Sequence, residues 1–169
     1  MKKLWLAPAF ALSMGLSASA FSQVLWQSAE TGMSIAQVKD KFPSAVRPEK
    51  IDKYGTQFEI DNNLSNEALL EIPDYKVENN TFNVQFLFKS DALDAVRLTS
   101  VGGSPAYSFG SVRTLLKTKY GEPIDTSVNN RSQTITWHDK GTTIDLTYYT
   151  NSYLFIWYQG GAEIEANKL

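Results

Sequence analysis

His138, the only histidine, and Asp145 are the pair in this chain best spaced for acid–base chemistry. If Asp139-Lys140-Gly141 turns one antiparallel strand into the next, the imidazole lies one position diagonal to the carboxylate, close enough to be oriented by it. A usable nucleophile is missing. Thr136 and Thr147 are the nearest hydroxyls, and neither falls in a strained elbow beside an oxyanion-forming glycine turn. His138 therefore reads as a strand-end residue at a hairpin, and no catalytic residue is assigned. Metal chemistry is equally poorly provided for. With no cysteine and one histidine, the chain cannot build thiolate or histidine-rich metal sites, nor disulfides. Asp61-Asn62-Asn63 resembles the start of a calcium loop but lacks the required glycine and terminal glutamate spacing. Asp91/Asp94 and Glu163/Glu165 fall in a turn and a tail, where solvation accounts for them better than hydrolase chemistry. Gly102-Gly103-Ser104-Pro105 is a linker, because no Lys-Ser/Thr follows to complete a phosphate cradle. No metal and no cofactor is expected.

Binding is better supported than catalysis. The run Thr142 to Tyr149 alternates with a period of two, and Thr150-Asn151-Ser152 turns it into Tyr153 to Gln159. Directly opposed residues of an antiparallel pair share a face, so turn length fixes which side chains meet. With Ile144, Leu146 and Tyr148 directed inward opposite Leu154 and Ile156, the other face pairs Tyr149 with Tyr153, Thr147 with Phe155, and Asp145 with Trp157. The preceding hairpin adds Thr136 beside Asp145 and His138 beside Thr143. Trp157, Phe155, Tyr149 and Tyr153 would then anchor a partner, with Asp145, Thr136 and His138 giving direction. Aromatic rings rimmed by polar groups suit an interaction surface, since they bury much area at little entropy cost. The plainer alternative is that another part of the chain, or a second copy, covers these rings as core. In the first half the corresponding outer pairs, Gln85 with Arg97 and Asn83 with Thr99, read as solvated.

Two helices must carry this sheet. Ser34 and Gln37 form a capping box, Ile35, Val38 and Phe42 line one face, and Pro43 stops the turn. The second runs from Phe109 to Tyr120, with Ser108 as a candidate cap and Gly121 as a left-handed stop. The helices superimpose under a shift of 78 residues. The hairpins superimpose without a gap under a shift of 60, so that Val84, Phe86, Phe88, Val96 and Leu98 fall on Ile144, Leu146, Tyr148, Ile156 and Tyr158. Thr56 to Ile60 and Leu69 to Val77 read as earlier strands of the first half, and Gln133 to His138 as that of the second. The difference between the shifts places about eighteen extra residues in the first half, around Asp61 to Asn80. The expected fold is α+β: tandem α-β-β-β units with helices on one face of an antiparallel sheet of six to eight strands.

The chain has 169 residues, and its start reads as an export leader. Lys2 and Lys3 form the positive region, Leu4 to Leu16 the apolar stretch, and Ala18-Ser19-Ala20 a signal-peptidase site. Pro8, Ser13, Gly15 and Ser17 interrupt a run already shorter than the roughly 20 apolar residues that span a bilayer. The expected organisation is a signal peptide over 1–20, one globular domain over 21–159 (units 21–103 and 104–159), and a C-terminal tail over 160–169. Stable membrane insertion is not expected. Without its two leader lysines the chain carries 14 basic against 18 acidic residues, a formal charge of −4, which argues against a nucleic-acid binder. The compartment implied is the periplasm or the medium.

Gly32-Met33-Ser34 with Val38 and Phe42-Pro43, then Leu116 to Pro123, Trp137, Ile144-Asp145-Leu146 and Leu154 to Tyr158, resemble small exported bacterial proteins, many uncharacterised, that repeat a helix and a strand meander. In architecture the chain is similar to the β-lactamase-inhibitory-protein-like group. That resemblance implies an open sheet face that grips protein partners. The lipidated cysteine of the small outer-membrane assembly lipoproteins, a related comparison, is absent. The sequence thus reads as a non-enzymatic periplasmic or secreted binding protein for another envelope or extracellular protein. Recognition of a glycan or small envelope molecule is the alternative, and a hydrolase using His138 and Asp145 the third.

Overall fold

The computed structural model describes residues 22–150 and 152–161. The expected leader over 1–20, and residues 162–169 of the expected tail, lie outside the described residues. In chain order the elements are β1 (Val24–Trp26), β2 (Ala29–Glu30), α1 (Ile35–Lys41), β3 (Lys53–Tyr54), α2 (Gln57–Asp61), β4 (Asn66–Val77), β5 (Asn80–Lys89) and β6 (Ala92–Ser100). Then follow α3 (Pro105–Tyr120), β7 (Asp125–Val128), β8 (Ser132–Asp139), β9 (Thr142–Tyr149) and β10 (Leu154–Gly160). The fold is α+β. β1 and β2 form a small hairpin, and the other strands make one antiparallel sheet of eight in the order β3-β4-β5-β6-β10-β9-β8-β7.

Local chemistry explains most of these boundaries. α1 starts at the expected capping box, Ser34 accepting from the Gln37 amide while the Gln37 side chain accepts from the Ser34 amide. It ends at Lys41, before Pro43, as a residue ahead of proline is disfavoured in helical backbone. Two hairpins turn on paired left-handed residues, Ser90-Asp91 and Lys140-Gly141, whose mirror-image turn matches the twist of the flanking strands. β4 is the irregular strand. Its register shifts between Ile72 and Tyr75, where Pro73 and left-handed Asp74 interrupt pairing, as a proline inside a sheet requires.

Several expectations are corrected. Thr56 to Ile60 is not a strand: Thr56 caps α2 in a second capping box with Glu59, and local hydrogen bonding outweighs the alternation of Phe58 and Ile60. Ser108 is not a cap. α3 begins four residues earlier, at Ser104 with Pro105 in the first turn, because proline's fixed φ suits that position; Ser108 is buried. The glycine linker is correspondingly short, and Gly121 stops α3 with φ of 84° as expected. Between α1 and β4 the chain forms β3 and α2. β10 extends through Gly160, so that residue belongs to the sheet and not to the tail.

The registers follow the derived pairs: Trp137 opposite Ile144, Ile135 opposite Leu146, Ile156 opposite Leu146 and Val84 opposite Leu98. These residues point to one face and are buried in one core with Val38 of α1, Phe42 at its C-terminal cap, and Val112 and Leu116 of α3. Trp26 stacks on Phe42 at 5.7 Å and meets Phe86 edge-on. The Trp137 indole donates to the Gly121 carbonyl at 3.0 Å, tying the end of α3 to β8. The last strand, β10, lies between β6 and β9. Arg97 there pairs with Trp157, 60 positions later, flanked by Thr99 with Phe155 and Ala95 with Gln159.

Candidate functional site

The opposite face of the sheet carries the sequence-derived site residues. Reading across the strands, one row runs Glu71, Gln85, Arg97, Trp157, Asp145, Thr136 and Asp125. The next runs Asn83, Thr99, Phe155, Thr147, Thr134 and Ser127. Tyr149 and Tyr153 follow at the β9–β10 turn, where the Tyr149 amide donates to the Tyr153 carbonyl. All seven expected residues share this face, but they form three separate arrangements.

Tyr149, Tyr153 and Phe155 make the first. Tyr149 and Tyr153 stack at 4.8 Å, and Phe155 lies 6.3 and 6.1 Å from them with its ring within 27° of each. Tyr153 is 41% exposed. The second is polar. Thr136 donates to Asp145 at 2.6 Å, Thr134 and Thr147 share a bond of 3.0 Å, and His138 Nε2 bonds Thr143 Oγ1 at 2.8 Å. Carboxylate and imidazole are thus each held by a threonine, and no His138–Asp145 bond forms among the described residues. Threonine ladders of this kind stabilise strand pairs.

Trp157 makes the third arrangement with residues that the sequence reading did not assign to the site. Its ring meets Tyr54 of β3 edge-on at 5.7 Å, and both pack on Ala68, Leu87 and Ala95 in a small second core. The Arg97 guanidinium lies between two rings, 4.8 Å from Tyr54 and 4.5 Å from Phe155. It forms no ion pair among the described residues, and its Nε has no hydrogen-bond partner. The Tyr54 hydroxyl donates to Gln85 at 2.8 Å, and Gln85 donates to Asp52 at 3.3 Å. Burial pushes the Tyr54 pKa up, against the pull of the Arg97 charge. The expectation that Gln85 and Arg97 are solvated is therefore corrected: Gln85 is 6% exposed, because the segment before β4 folds over it. The same segment partly covers Trp157. Arg97 connects the ring group at Phe155 to this second core.

Beside Trp157 a cleft of about 310 Å³ is lined by Tyr54, Glu59, Asn66, Lys89, Asp94 and Gln159. Asn66 donates to Asp94 at 2.9 Å, while its buried carbonyl oxygen has no hydrogen-bond partner among the described residues. Hydrogen bonds from the Thr56 amide and hydroxyl hold the Glu59 pKa down. No group of three or more metal-ligating side chains occurs among the described residues, and no helix among them is long and apolar enough to cross a membrane.

The ring contacts of Arg97 and the place of Tyr54 escaped sequence reading for different reasons. Arg97 meets Phe155 only because β6 pairs with β10, a neighbour 60 positions away that no turn specifies. Tyr54 sits on a two-residue strand with no alternation to announce it. The chain matches no protein-family model, no curated protein and no solved structure.

Proposed function

We propose that this chain is an exported, non-enzymatic binding protein whose outer sheet face recognises another envelope or extracellular protein. The observation that carries the reading is the ring group Tyr149, Tyr153 and Phe155, continued through Arg97 to Tyr54 and Trp157. Aromatic side chains and arginine are the residues that dominate binding energy at protein interfaces. An arginine held between rings, with no ion pair among the described residues, is ready for an acidic group of the partner. Asp145, Thr136 and His138 form the polar border.

The tandem α-β-β-β architecture, with both helices on the inner face and a likeness to the β-lactamase-inhibitory-protein-like group, belongs to the same proposal. Its support is the β6–β10 junction. Pairs Thr99–Phe155 and Ala95–Gln159 exchange under the 60-residue shift, and Arg97–Trp157 maps onto itself. Such a register arises when two copies of one unit meet about a two-fold axis.

The test is capture from envelope extracts by the wild type, Tyr153→Ala, Arg97→Gln and Tyr107→Ala. Tyr107, an exposed ring on α3, serves as the control. A partner lost with the first two variants and kept with the third supports the face. Equal capture by all four removes it.

Glycan or small envelope-molecule binding is favoured by one observation, the cleft where Trp157 and Tyr54 meet Asp94, Asn66 and Glu59. Saturable quenching of tryptophan fluorescence by soluble glycans, lost in Asp94→Asn, separates that reading from the first. The hydrolase reading is the weakest, since Thr136 and Thr143 occupy the groups it needs.

A further inference from the structure

On the core side of the sheet, packing between α3 and the β1–β2 hairpin is incomplete. A cavity of about 200 Å³ lies there, lined from the sheet by Leu98 and Ile156, from α3 by Val112 and Leu116, and from β1 by Trp26. Close-packed interiors hold few voids larger than a water molecule. A closed apolar void of about 150 Å³ is large enough to take up benzene. This one is larger and also reaches solvent, since exposed Gln27 and Lys119 are part of its lining.

Its mouth is not neutral. Lys117, two residues earlier on the same helix, is held by Glu122 at 2.8 Å. Lys119 has no ion pair among the described residues; its amine lies 4.8 Å from the centre of the Tyr120 ring. Gln27 donates to the Tyr75 hydroxyl at 2.7 Å, fixing the other lip. A second cavity of about 260 Å³ shares Gln27 and Lys119 and adds Lys140 and Asp139, so Lys119 stands at the edge of both cavities.

We propose that this cavity binds a small carboxylate amphiphile, a medium-chain fatty acid, with its alkyl chain against Trp26, Leu98 and Ile156 and its carboxylate at Lys119. The site is separate from the outer face and does not depend on the function proposed for that face. Apolar volume supplies affinity and the lysine supplies the choice of head group.

The experiment titrates the purified protein with butanoate, hexanoate, octanoate and neutral octanol, following tryptophan fluorescence. Affinity is expected to rise about fourfold per added methylene, with octanoate preferred to octanol about tenfold. Lys119→Gln should remove that preference and leave octanol binding unchanged. Val112→Phe or Leu115→Phe, each of which fills the cavity, should abolish binding while the melting temperature holds or rises; whichever of the two folds decides the point. Absence of saturable octanoate binding to the wild type would overturn the proposal, as would binding that survives in a folded cavity-filled variant.

Discussion

Arg97 is the residue on which the outer face turns. Its charge lies against two rings and forms no ion pair among the described residues, so it links the Tyr149–Tyr153–Phe155 group to Tyr54 and Trp157. Trp157 itself has two duties, since it packs on Ala68, Leu87 and Ala95 as well as lining the cleft. Replacing it would lower stability as well as binding, which is why the capture test uses Tyr153. On the inner face Tyr158 offers a residue-scale measurement. Burial, then contact with Tyr120, raises its pKa well above the usual 10.0. A neutral phenol is therefore favoured by folding; this stabilisation is complete below pH 10 and is lost as pH rises toward the folded-state value. Tyr158→Phe is expected to cost about 1 kcal/mol at neutral pH and to weaken the fall in stability above pH 10, as measured by urea unfolding across an alkaline series. An unchanged alkaline limb would place the hydroxyl outside the core. The identity of the ring residues was legible from period and turn length alone. Arg97's role was not, because its partners arrive from β10 and β3.

At the scale of elements, α2 shows how a few local hydrogen bonds redirect a segment. Phe58 and Ile60 alternate with polar residues as a strand would, yet Thr56 and Glu59 cap a helical turn. That turn stands immediately after Tyr54, so it sets how firmly Tyr54 covers Trp157. Thr56→Ala should destabilise this segment by about 1 kcal/mol and alter the fluorescence of Trp157 while the rest of the sheet holds. Glu59 adds a pH signature. Its pKa lies below the usual 4.5, so its stabilising contribution is present above that value and fades as acid brings the pH through the lowered one. The wild type should consequently lose more stability than Glu59→Gln as the pH falls through that lowered value. Equal acid sensitivity would mean that the cap carries no weight. The paired readings of Ser34 with Gln37 and of Gly121 held because each cap is a contact within one turn. Thr56 with Glu59 has the same signature, and attention to that spacing would have found α2.

For the whole molecule the decisive feature is the position of the last strand. β10 pairs with β9, its neighbour in sequence, and with β6, which ends the first meander. Everything from β3 to β6 is joined to everything from β9 to β7 through this strand. Removal of residues 154–161 should abolish cooperative unfolding, and amide exchange in the intact protein should be slowest in β6 and β10. Two independent transitions after the deletion would mean that each meander folds alone. The sequence by itself determined the α+β composition, the hairpin registers, the two principal helices and the common face of Trp157, Phe155, Tyr149, Tyr153, Asp145, Thr136 and His138. Those features depend on alternation, turns and caps, all of which act over a few residues. Only the tertiary structure decided that β6 meets β10, that Tyr54 covers Trp157 and holds Arg97 against Phe155, and that a cavity remains under α3. These depend on which apolar surfaces meet across many tens of residues, and neither side-chain period nor turn chemistry encodes that choice.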